Sequence, residues 1–183
     1  MQVDRIIDNV FVIPGFFTPA ECGQFIDVSE KSGYEAATIM TERGPKLMGQ
    51  VRDNERLLYK DEELATMLWK RVGGRVPTFI GNSKAIGLNE LFRFYKYGTG
   101  QKFKRHTDES FIRNEQEASY YTLLVYLNDD FEGGETNFDC ASIKAQKGMA
   151  LVFLHSLVHE GAPIRSGIKY ILRTDIMYRL KDG

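Results

Sequence analysis

A histidine and an aspartate stand two residues apart in the stretch KFKRHTDESF, residues 102–111, of a chain with three histidines in all. In an extended strand, residues i and i+2 point to the same face. His106 and Asp108 can therefore reach one common point while Thr107 turns away. Because imidazole nitrogen and carboxylate oxygen are both ligands of divalent transition metals, the spacing predicts a metal site.

A third ligand is available later in the chain. His159 follows the apolar run MALVFL, in the segment LVHEGAPI. A jelly roll places strands that are distant in sequence side by side, so His159 can join His106 and Asp108 on one face of a metal. Two imidazoles and one carboxylate leave three positions of an octahedron open. This arrangement suits non-haem Fe(II) and admits O₂ together with a bidentate co-substrate.

A cation follows on the next predicted strand, KYILRTDIMYR, where Lys169 stands ten residues past His159. On a strand, Lys169 shares one face with Ile171 and Arg173. A cation inside a barrel is costly unless it meets an anion, and a dicarboxylate co-substrate would provide one. Periodicity alone leaves the opposite orientation open, with both cations in solvent and the intervening apolar residues in the core.

Strand-forming segments dominate the chain from residue 88 onward. Five runs rich in aromatic and β-branched residues are separated by glycine and acidic turns: NELFRFYKYG, ASYYTLLVYLND, GGETNFD, KGMALVFL and KYILRTDIMYR. Because no helix intervenes, they favour an antiparallel barrel or double-sheet jelly roll over a βαβ fold. We expect a mostly β protein with a cupin-like double-stranded β-helix core and helices packed outside it.

The front of the chain predicts two helices. Thr18 and Pro19 match an N-cap followed by proline at the first helical position, and DEELATMLWKRVGGRV has apolar residues at helical spacing. The charged segment between them, MTERGPKLMGQVRDNERLLY, predicts a loop or irregular hairpin. We expect a single domain over residues 1–183, with a helical front lobe that also has short strands at 1–87 and a jelly-roll core that carries the metal site at 88–180.

Composition limits the classes of function. Of the 183 residues, 43% are hydrophobic, which is enough for one domain with a packed core. Lys and Arg number 24 against 25 Asp and Glu, so no overall basic field recruits nucleic acid or anionic lipid. The N-terminus lacks a signal-peptide pattern, no apolar run has the roughly 18 residues of a membrane span, and two cysteines without a CxxC pair favour a reducing compartment. We expect a cytoplasmic protein.

These motifs together resemble the signature of Fe(II)- and 2-oxoglutarate-dependent dioxygenases, in their prolyl 4-hydroxylase-like branch. YGTGQKFKRHTD is similar to the glycine turn that leads into the metal motif, LLVYLNDDFEGGETNF to the acidic turn and hairpin, and KGMALVFLHSLVHEGAPIRSGIKYILRTDIMY to the closing strands. The likeness covers residues 91–178, about half of the chain. It implies an enzyme that hydroxylates an unactivated C–H bond and decarboxylates 2-oxoglutarate to succinate and CO₂.

The resemblance also implies the cofactors and their ligands. Fe(II) would be bound by His106, Asp108 and His159, and O₂ would be the oxidant, with ascorbate as a supporting reductant. Lys169 would pair with the distal carboxylate of 2-oxoglutarate, whose 1-carboxylate and 2-oxo oxygen chelate the iron. Halogenating relatives have a small residue in place of the aspartate, so Asp108 implies hydroxylation.

Five further residues are assigned by position. Tyr126 matches a tyrosine that binds the distal carboxylate in several relatives, and Tyr97 matches one that lines the pocket, although both suit the core equally well. Arg173 shares the predicted face of Lys169 and is assigned to substrate or co-substrate. Arg52 and Asn54, in VRDNER, match a segment that related enzymes use as a lid over substrate, and a solvated loop is the alternative.

Two other functions stay open. His155 and His159 are four residues apart and, with His106, could form a three-histidine zinc site, although the segment has the pattern of a strand followed by a turn. The second is a catalytically inactive jelly roll that binds a peptide or a sugar. For the enzyme itself, the substrate is open between a prolyl residue in a peptide and a free amino acid or other small molecule.

Overall fold

The computed structural model describes residues 2–37, 39–41, 44–46 and 53–181. The helices in this part of the chain are α1 (Pro19–Ser32) and α2 (Glu62–Val72), and a 3-10 turn follows at Gly73–Arg75. The strands are β1 (Asp4–Ile7), β2 (Val10–Ile13), β3 (Glu35–Ala36), β4 (Ile39–Thr41), β5 (Gly44–Lys46), β6 (Glu55–Lys60), β7 (Phe79–Ile80), β8 (Ser83–Leu88), β9 (Leu91–Tyr97), β10 (Phe103–His106), β11 (Ile112–Asn114), β12 (Glu117–Tyr126), β13 (Glu132–Gly133), β14 (Thr136–Phe138), β15 (Ser142–Ile143), β16 (Ala150–Leu154), β17 (His159–Gly161), β18 (Ile164–Ser166) and β19 (Lys169–Leu180).

Two antiparallel sheets make up the core. The larger has the order β1-β2-β16-β12-β19-β9-β6-β3, with β8 also paired to β19, β7 to β8 and β11 to β12. The smaller has the order β10-β17-β14-β15, and β13-β18 and β4-β5 form separate pairs. Strands far apart in sequence are thus neighbours in both sheets. The prediction of a mostly β, double-sheet jelly roll with helices outside it is confirmed.

The helices begin where their capping residues predict. Thr18 Oγ1 accepts a hydrogen bond from the Glu21 N–H at 3.2 Å, and Glu21 Oε2 accepts one from the Thr18 N–H at 2.7 Å, which is a capping box. Asp61 Oδ1 accepts from the Leu64 N–H at 2.8 Å and caps α2. No helix in the described ranges is long and apolar enough to cross a membrane.

The large sheet separates two apolar clusters. Along β9, Phe92 and Phe94 belong to the cluster under the helices, whereas Tyr95 and Tyr97 belong to the cluster between the sheets. This follows from the two-residue period of a strand. The second cluster is built from both sheets and from β18, and it includes Leu124, Tyr126, Phe138, Ile143, Leu151, Phe153, Ile164 and Ile171. The space between the sheets is therefore where inward-facing polar side chains would meet.

The front of the chain contributes strands to the same sheet as the core. Its strands β1, β2, β3, β6, β7 and β8 are all part of the large sheet, and the expected boundary between residues 87 and 88 falls inside β8. β8 pairs with β19 from Leu88 to Ser83, opposite Ile176 to Leu180. Without these front strands, β9, β16 and the end of β19 would have exposed edges. The two predicted lobes thus share one sheet.

Gly148 offers a test of this packing. Its φ is +80°, and a Cβ at this position would lie 2.2 Å from the carbonyl oxygen of Phe17. We expect Gly148→Ala to lower the free energy of unfolding by at least about 2 kcal/mol, because the side chain is strained in this backbone conformation and must also displace Phe17. Gly87→Ala in β8 is the control, since its Cβ would have no atom within 4 Å. Urea unfolding compares the two, and equal losses would contradict the expectation.

Candidate active site

The two predicted histidine ligands are neighbours across one strand pair. β10 ends at His106, which lies opposite His159 at the start of β17. Asp108 lies in the loop after β10, and its N–H donates to the carbonyl oxygen of His155 at 3.0 Å. The expectation that His106 and Asp108 share a strand is therefore wrong. The loop, fixed by this backbone hydrogen bond, brings the carboxylate beside the two rings instead.

The three side chains converge on one point. One ligand atom from each of His106, Asp108 and His159 lies within 4.8 Å of the others. His106 Nε2 is 3.8 Å from Asp108 Oδ1, and His159 Nε2 is 3.9 Å from Asp108 Oδ2. Metal–ligand bonds of about 2.0–2.2 Å place the ligand atoms of one ion roughly 3–4 Å apart, so the group fits a divalent metal. It is the one group of this kind among the residues that the structure describes.

A backbone carbonyl orients each imidazole. His106 Nδ1 lies 2.7 Å from the Lys104 carbonyl oxygen, and His159 Nδ1 lies 3.0 Å from that of Leu157. Because a carbonyl only accepts, Nδ1 carries the proton and Nε2 presents its lone pair toward Asp108. Burial lowers the pKa of His106 to about 4, with a further contribution from His159, and burial also lowers the pKa of His159. Both rings are thus neutral, which is the metal-binding form.

Two donors hold the carboxylate of Asp108. Thr122 Oγ1 donates to Oδ2 at 2.5 Å, and Arg173 Nη1 forms an ion pair with Oδ1 at 3.1 Å. Burial by itself would raise the pKa of Asp108, but Arg173, His159 and the Thr122 hydrogen bond outweigh it and lower the pKa to about 2. The side chain is therefore ionised and fixed in orientation.

A cavity runs from these ligands to Lys169. Lys169, Ile171 and Arg173 all line it, so the face of β19 predicted to point inward does so. The orientation that places both cations in solvent is excluded. Besides the three candidate ligands, the other lining residues are Tyr95, Tyr97, Phe103, Leu124, Thr136, Phe153, Gly161, Ala162 and Ile164.

Lys169 is a buried cation at the far end of this cavity, with 3% of its surface exposed. Its Nζ donates to the carbonyl oxygen of Gly134 at 2.5 Å and lies 5.3 Å and 5.7 Å from the ring centroids of Tyr126 and Tyr97. Burial lowers the pKa of Lys169 to about 7, and Glu135 offsets part of the effect. An anionic ligand in the cavity would restore the charge that burial disfavours.

The other predicted residues differ in their placement. Tyr97 lines the cavity, whereas Tyr126 does not. The Tyr126 hydroxyl lies 2.7 Å from Oγ1 of Thr136, and Thr136 is one of the lining residues. Asn54 is buried, donates from Nδ2 to the next backbone carbonyl oxygen at 2.7 Å, and is also not among the lining residues. Arg52 lies outside the described residues. The roles assigned to these residues stay predictions.

The sequence reasoning missed Thr122, Thr136 and Tyr95. Thr122 lies two residues before Leu124 on β12, on the face that turns toward the small sheet, and it contacts Asp108. A threonine in the apolar run YYTLLVY was the available signal, because a polar side chain on an inward face needs a partner. Thr136 and Tyr95 had no comparable signal in the sequence.

His155 does not join the metal group. Its Nε2 lies 3.7 Å from Asp175 Oδ1, and neither ring nitrogen makes a hydrogen bond in the described structure. The third member of the metal group, with His106 and His159, is Asp108. This geometry argues against a three-histidine zinc site.

The structure is a jelly roll with a candidate metal group beside a cavity between its sheets. Comparison of the sequence with protein families agrees with this arrangement. Residues 92–174 match the family model described as the 2OG-Fe(II) oxygenase superfamily. This region runs from β9 into β19 and contains all three candidate ligands and Lys169. Over these residues the chain is thus similar to the 2OG-Fe(II) oxygenase superfamily, and its fold is a jelly roll.

The curated proteins to which the chain is similar include prolyl 4-hydroxylases. The chain is 24% identical over 190 residues to Prolyl 4-hydroxylase 1 of Arabidopsis thaliana, covering 88% of this chain and 66% of that protein. The chain therefore spans about two thirds of the length of that relative. The viral collagen prolyl hydroxylase of Paramecium Bursaria Chlorella virus-1, solved with 2OG, has the same fold, with a TM-score of 0.65, 20% identity, and 96% of this chain and 99% of that chain covered.

A second solved structure has the same fold. It is a prolyl hydroxylase from Trichoplax adhaerens in complex with a hypoxia inducible factor oxygen degradation domain peptide fragment. Its TM-score is 0.67 at 19% identity, and 92% of this chain and 83% of that chain are covered. Both likenesses extend over the front strands as well as the core, which agrees with the shared sheet described above.

Proposed function

We propose that this enzyme hydroxylates a prolyl residue in an exposed segment of a peptide or protein. The observation that carries the proposal is the cavity that joins the group of His106, Asp108 and His159 to the buried Lys169. A chelating dicarboxylate needs a metal at one end and a cation at the other. When bound, Fe(II) and 2-oxoglutarate supply the oxidising chemistry, in which O₂ and 2-oxoglutarate yield hydroxylated product, succinate and CO₂.

The residues of the chain would hold and shield these groups. His106, Asp108 and His159 would bind Fe(II) through Nε2, one carboxylate oxygen and Nε2, and Lys169 would pair with the distal carboxylate of 2-oxoglutarate. The aromatic and aliphatic lining would exclude water from the reaction. Tyr126 would act through Thr136, whose hydroxyl it contacts and which lines the cavity.

The exposure of the ligands indicates where substrate would enter. The side chain of His106 is 17% exposed, compared with 5% for Asp108 and 7% for His159. Because Lys169 is only 3% exposed and His106 is the most exposed of the three ligands, substrate would enter beside His106. A prolyl substrate is supported by the curated relative named as a prolyl 4-hydroxylase, and a peptide by the Trichoplax protein, which was solved with one.

Spectroscopy tests the co-substrate first. Anaerobic addition of Fe(II) and then 2-oxoglutarate to the apoprotein should give the weak visible metal-to-ligand charge-transfer band of the chelate. The band should be absent in His159→Ala, which lacks one ligand. If wild type binds Fe(II) but gives no band, the co-substrate assignment fails and the inactive binding module becomes the better interpretation.

A turnover assay then tests the substrate. The Fe(II)-loaded enzyme is given O₂, ascorbate and 2-oxoglutarate, with either proline-containing peptides or free proline, and succinate release is measured. We expect peptide-dependent succinate and the addition of one oxygen atom to a prolyl residue, seen by mass spectrometry. If only free proline stimulates succinate release, the substrate is a free amino acid. If the charge-transfer band forms but neither peptide nor proline stimulates succinate release, the proposal of a prolyl substrate is wrong.

Lys169 predicts how co-substrate binding depends on pH. Its pKa of about 7 in the empty cavity means that the ammonium is present below pH 7 and is lost above it. Because the distal carboxylate needs the ammonium, the Kd of 2-oxoglutarate should rise about tenfold between pH 7 and 8.5. The control is 2-oxovalerate, which has no distal carboxylate and should bind with much less pH dependence. Equal dependence for both acids would contradict the assignment of Lys169.

We propose a cytoplasmic location for the enzyme. Cys22 is buried, Cys140 is exposed, and both are free thiols. Free cysteines are typical of reducing compartments, and this supports the proposal. Immunodetection of the enzyme in cell fractions would test it, and recovery in a secreted fraction would contradict it.

A further inference from the structure

Arg173 has an unpartnered N–H group at the cavity. The side chain lines the cavity and is 12% exposed. Its Nη1 contacts Asp108 Oδ1 at 3.1 Å, and its Nη2 donates to Asp175 Oδ1 at 3.2 Å and to Thr122 Oγ1 at 3.4 Å. Its Nε is buried and has no hydrogen-bond partner in the described structure. A buried N–H on a charged group is costly to leave unpaired, so this donor indicates a missing acceptor.

The guanidinium is fixed by a buried network. Asp175 is 1% exposed and accepts from Arg93 Nη1 at 3.0 Å and Asn89 Nδ2 at 3.3 Å, in addition to Arg173. Tyr95, which lines the cavity, is also hydrogen-bonded to Arg173. Two carboxylates and two guanidinium groups balance in charge within this cluster. The direction of the Nε–H is therefore set by the surrounding structure.

Arg173 lies at the metal end of the cavity, whereas Lys169 lies at the other end. The two residues share one face of β19 and are four residues apart, about 13 Å along the strand. Arg173 also contacts Asp108, one of the candidate metal ligands. A dicarboxylate whose distal end reaches Lys169 would thus have its other end near Arg173.

We propose that Arg173 Nε donates a hydrogen bond to the carboxylate at the metal-chelating end of 2-oxoglutarate. The co-substrate is then held by two cations, Lys169 at the distal carboxylate and Arg173 at the 1-carboxylate. This inference rests on the proposed function, since it takes 2-oxoglutarate as the ligand of the cavity. Arg173 would touch the co-substrate directly, as well as orienting Asp108.

Two 2-oxo acids separate the roles of the two cations. Both 2-oxoglutarate and 2-oxovalerate have the chelating end, but 2-oxovalerate has no distal carboxylate. Their Kd values are measured anaerobically by calorimetry on enzyme saturated with Mn(II). Arg173→Lys keeps a positive charge beside Asp108 and Asp175 but has no Nε–H, so we expect the Kd of both acids to rise at least about tenfold and by the same factor. Lys169→Met should weaken the binding of 2-oxoglutarate and leave the Kd of 2-oxovalerate unchanged.

Arg93→Lys is the matched control. Arg93 binds the same Asp175 but is not part of the cavity lining, so both Kd values should stay within about threefold of wild type. Unchanged binding of both acids by Arg173→Lys would overturn the inference, as would a loss confined to 2-oxoglutarate. If wild type itself binds no 2-oxoglutarate, the proposed function fails, and this inference fails with it.

A measurement on wild type covers the case in which Arg173→Lys does not fold. In Zn(II)-loaded enzyme labelled with ¹⁵N, the Nε–H resonance of Arg173 should move downfield when either 2-oxo acid is added, because a new acceptor is present. A shift with both acids supports a contact at their common end. No shift with either acid, at concentrations that saturate the site, would overturn the inference.

Discussion

Asp108→Ala is expected to abolish 2-oxoglutarate-dependent turnover and to weaken Fe(II) binding by more than about a hundredfold. Loss of a group that merely orients a metal ligand typically lowers affinity 10- to 100-fold, and this change removes the ligand itself. The variant should still fold, because Arg173 keeps its ion pair with Asp175. The unfolding free energy should fall by about 1–3 kcal/mol, since Arg173 and Thr122 each lose a buried partner. Mn(II) titration, succinate release and urea unfolding measure the three effects.

Asp139→Ala is the control for removal of a carboxylate. Asp139 is exposed and forms a surface ion pair with Arg105, which is worth little in water. Metal affinity, turnover and stability should therefore stay close to wild type. Normal turnover by Asp108→Ala would instead show that Asp108 is not a metal ligand. If Asp108→Ala does not fold, the metal site is tested with His106→Ala and His159→Ala, which break no ion pair with Arg173.

The sequence predicts those parts of the site that depend on short-range patterns. The inward face of β19, with Lys169 and Arg173 on it, follows from the two-residue period of a strand. The start of α1 likewise follows from Thr18 and Pro19, because a cap is a local hydrogen-bond arrangement. Such features need no knowledge of the tertiary fold.

The parts that could not be predicted depend on contacts between distant segments. Asp108 reaches the histidines through a loop held by the His155 carbonyl, and Thr122 and Arg173 meet Asp108 from two different strands. The pairing of the front strands with the large sheet is also long-range, so the spacing of residues 1–87 does not show which core strands they join. Sequence spacing has no information on which strands become neighbours in a sheet.

Lys169→Met is expected to raise the Kd of 2-oxoglutarate at least about a hundredfold and yet to stabilise the empty enzyme. The distal carboxylate would lose its cation in a buried cavity, where an unpaired charge is expensive. In the absence of co-substrate, however, the lysine itself is the buried charge, and burial lowers its pKa to about 7. Replacing buried charged groups by apolar side chains of similar volume is often neutral or stabilising by up to about 4 kcal/mol. Among the described residues, Lys169 has no carboxylate partner that the change would leave unpaired.

The sign of this stability effect depends on pH. The pKa of Lys169 is lower in the folded protein than its usual value of 10.5, so the unfolded chain binds more protons between about pH 7 and 10.5. Wild type should therefore gain stability from this residue's titration as pH rises through that window, and the advantage of Lys169→Met should be largest at pH 7 and smaller at pH 9. Urea unfolding at the two pH values measures the difference.

A matched surface variant separates this effect from a general loss of charge. Lys96 lies on β9 and pairs with Glu30 at 2.8 Å, away from the cavity. Lys96→Met should leave the Kd of 2-oxoglutarate unchanged and should show no gain in stability that fades with pH. If Lys169→Met loses both affinity and stability, the lysine is a structural cation whose partners are the Gly134 carbonyl and the surrounding rings. If Lys169→Met is more stable than wild type, binds 2-oxoglutarate more weakly and binds 2-oxovalerate as before, the fold tolerates an unfavourable buried charge because the co-substrate requires it.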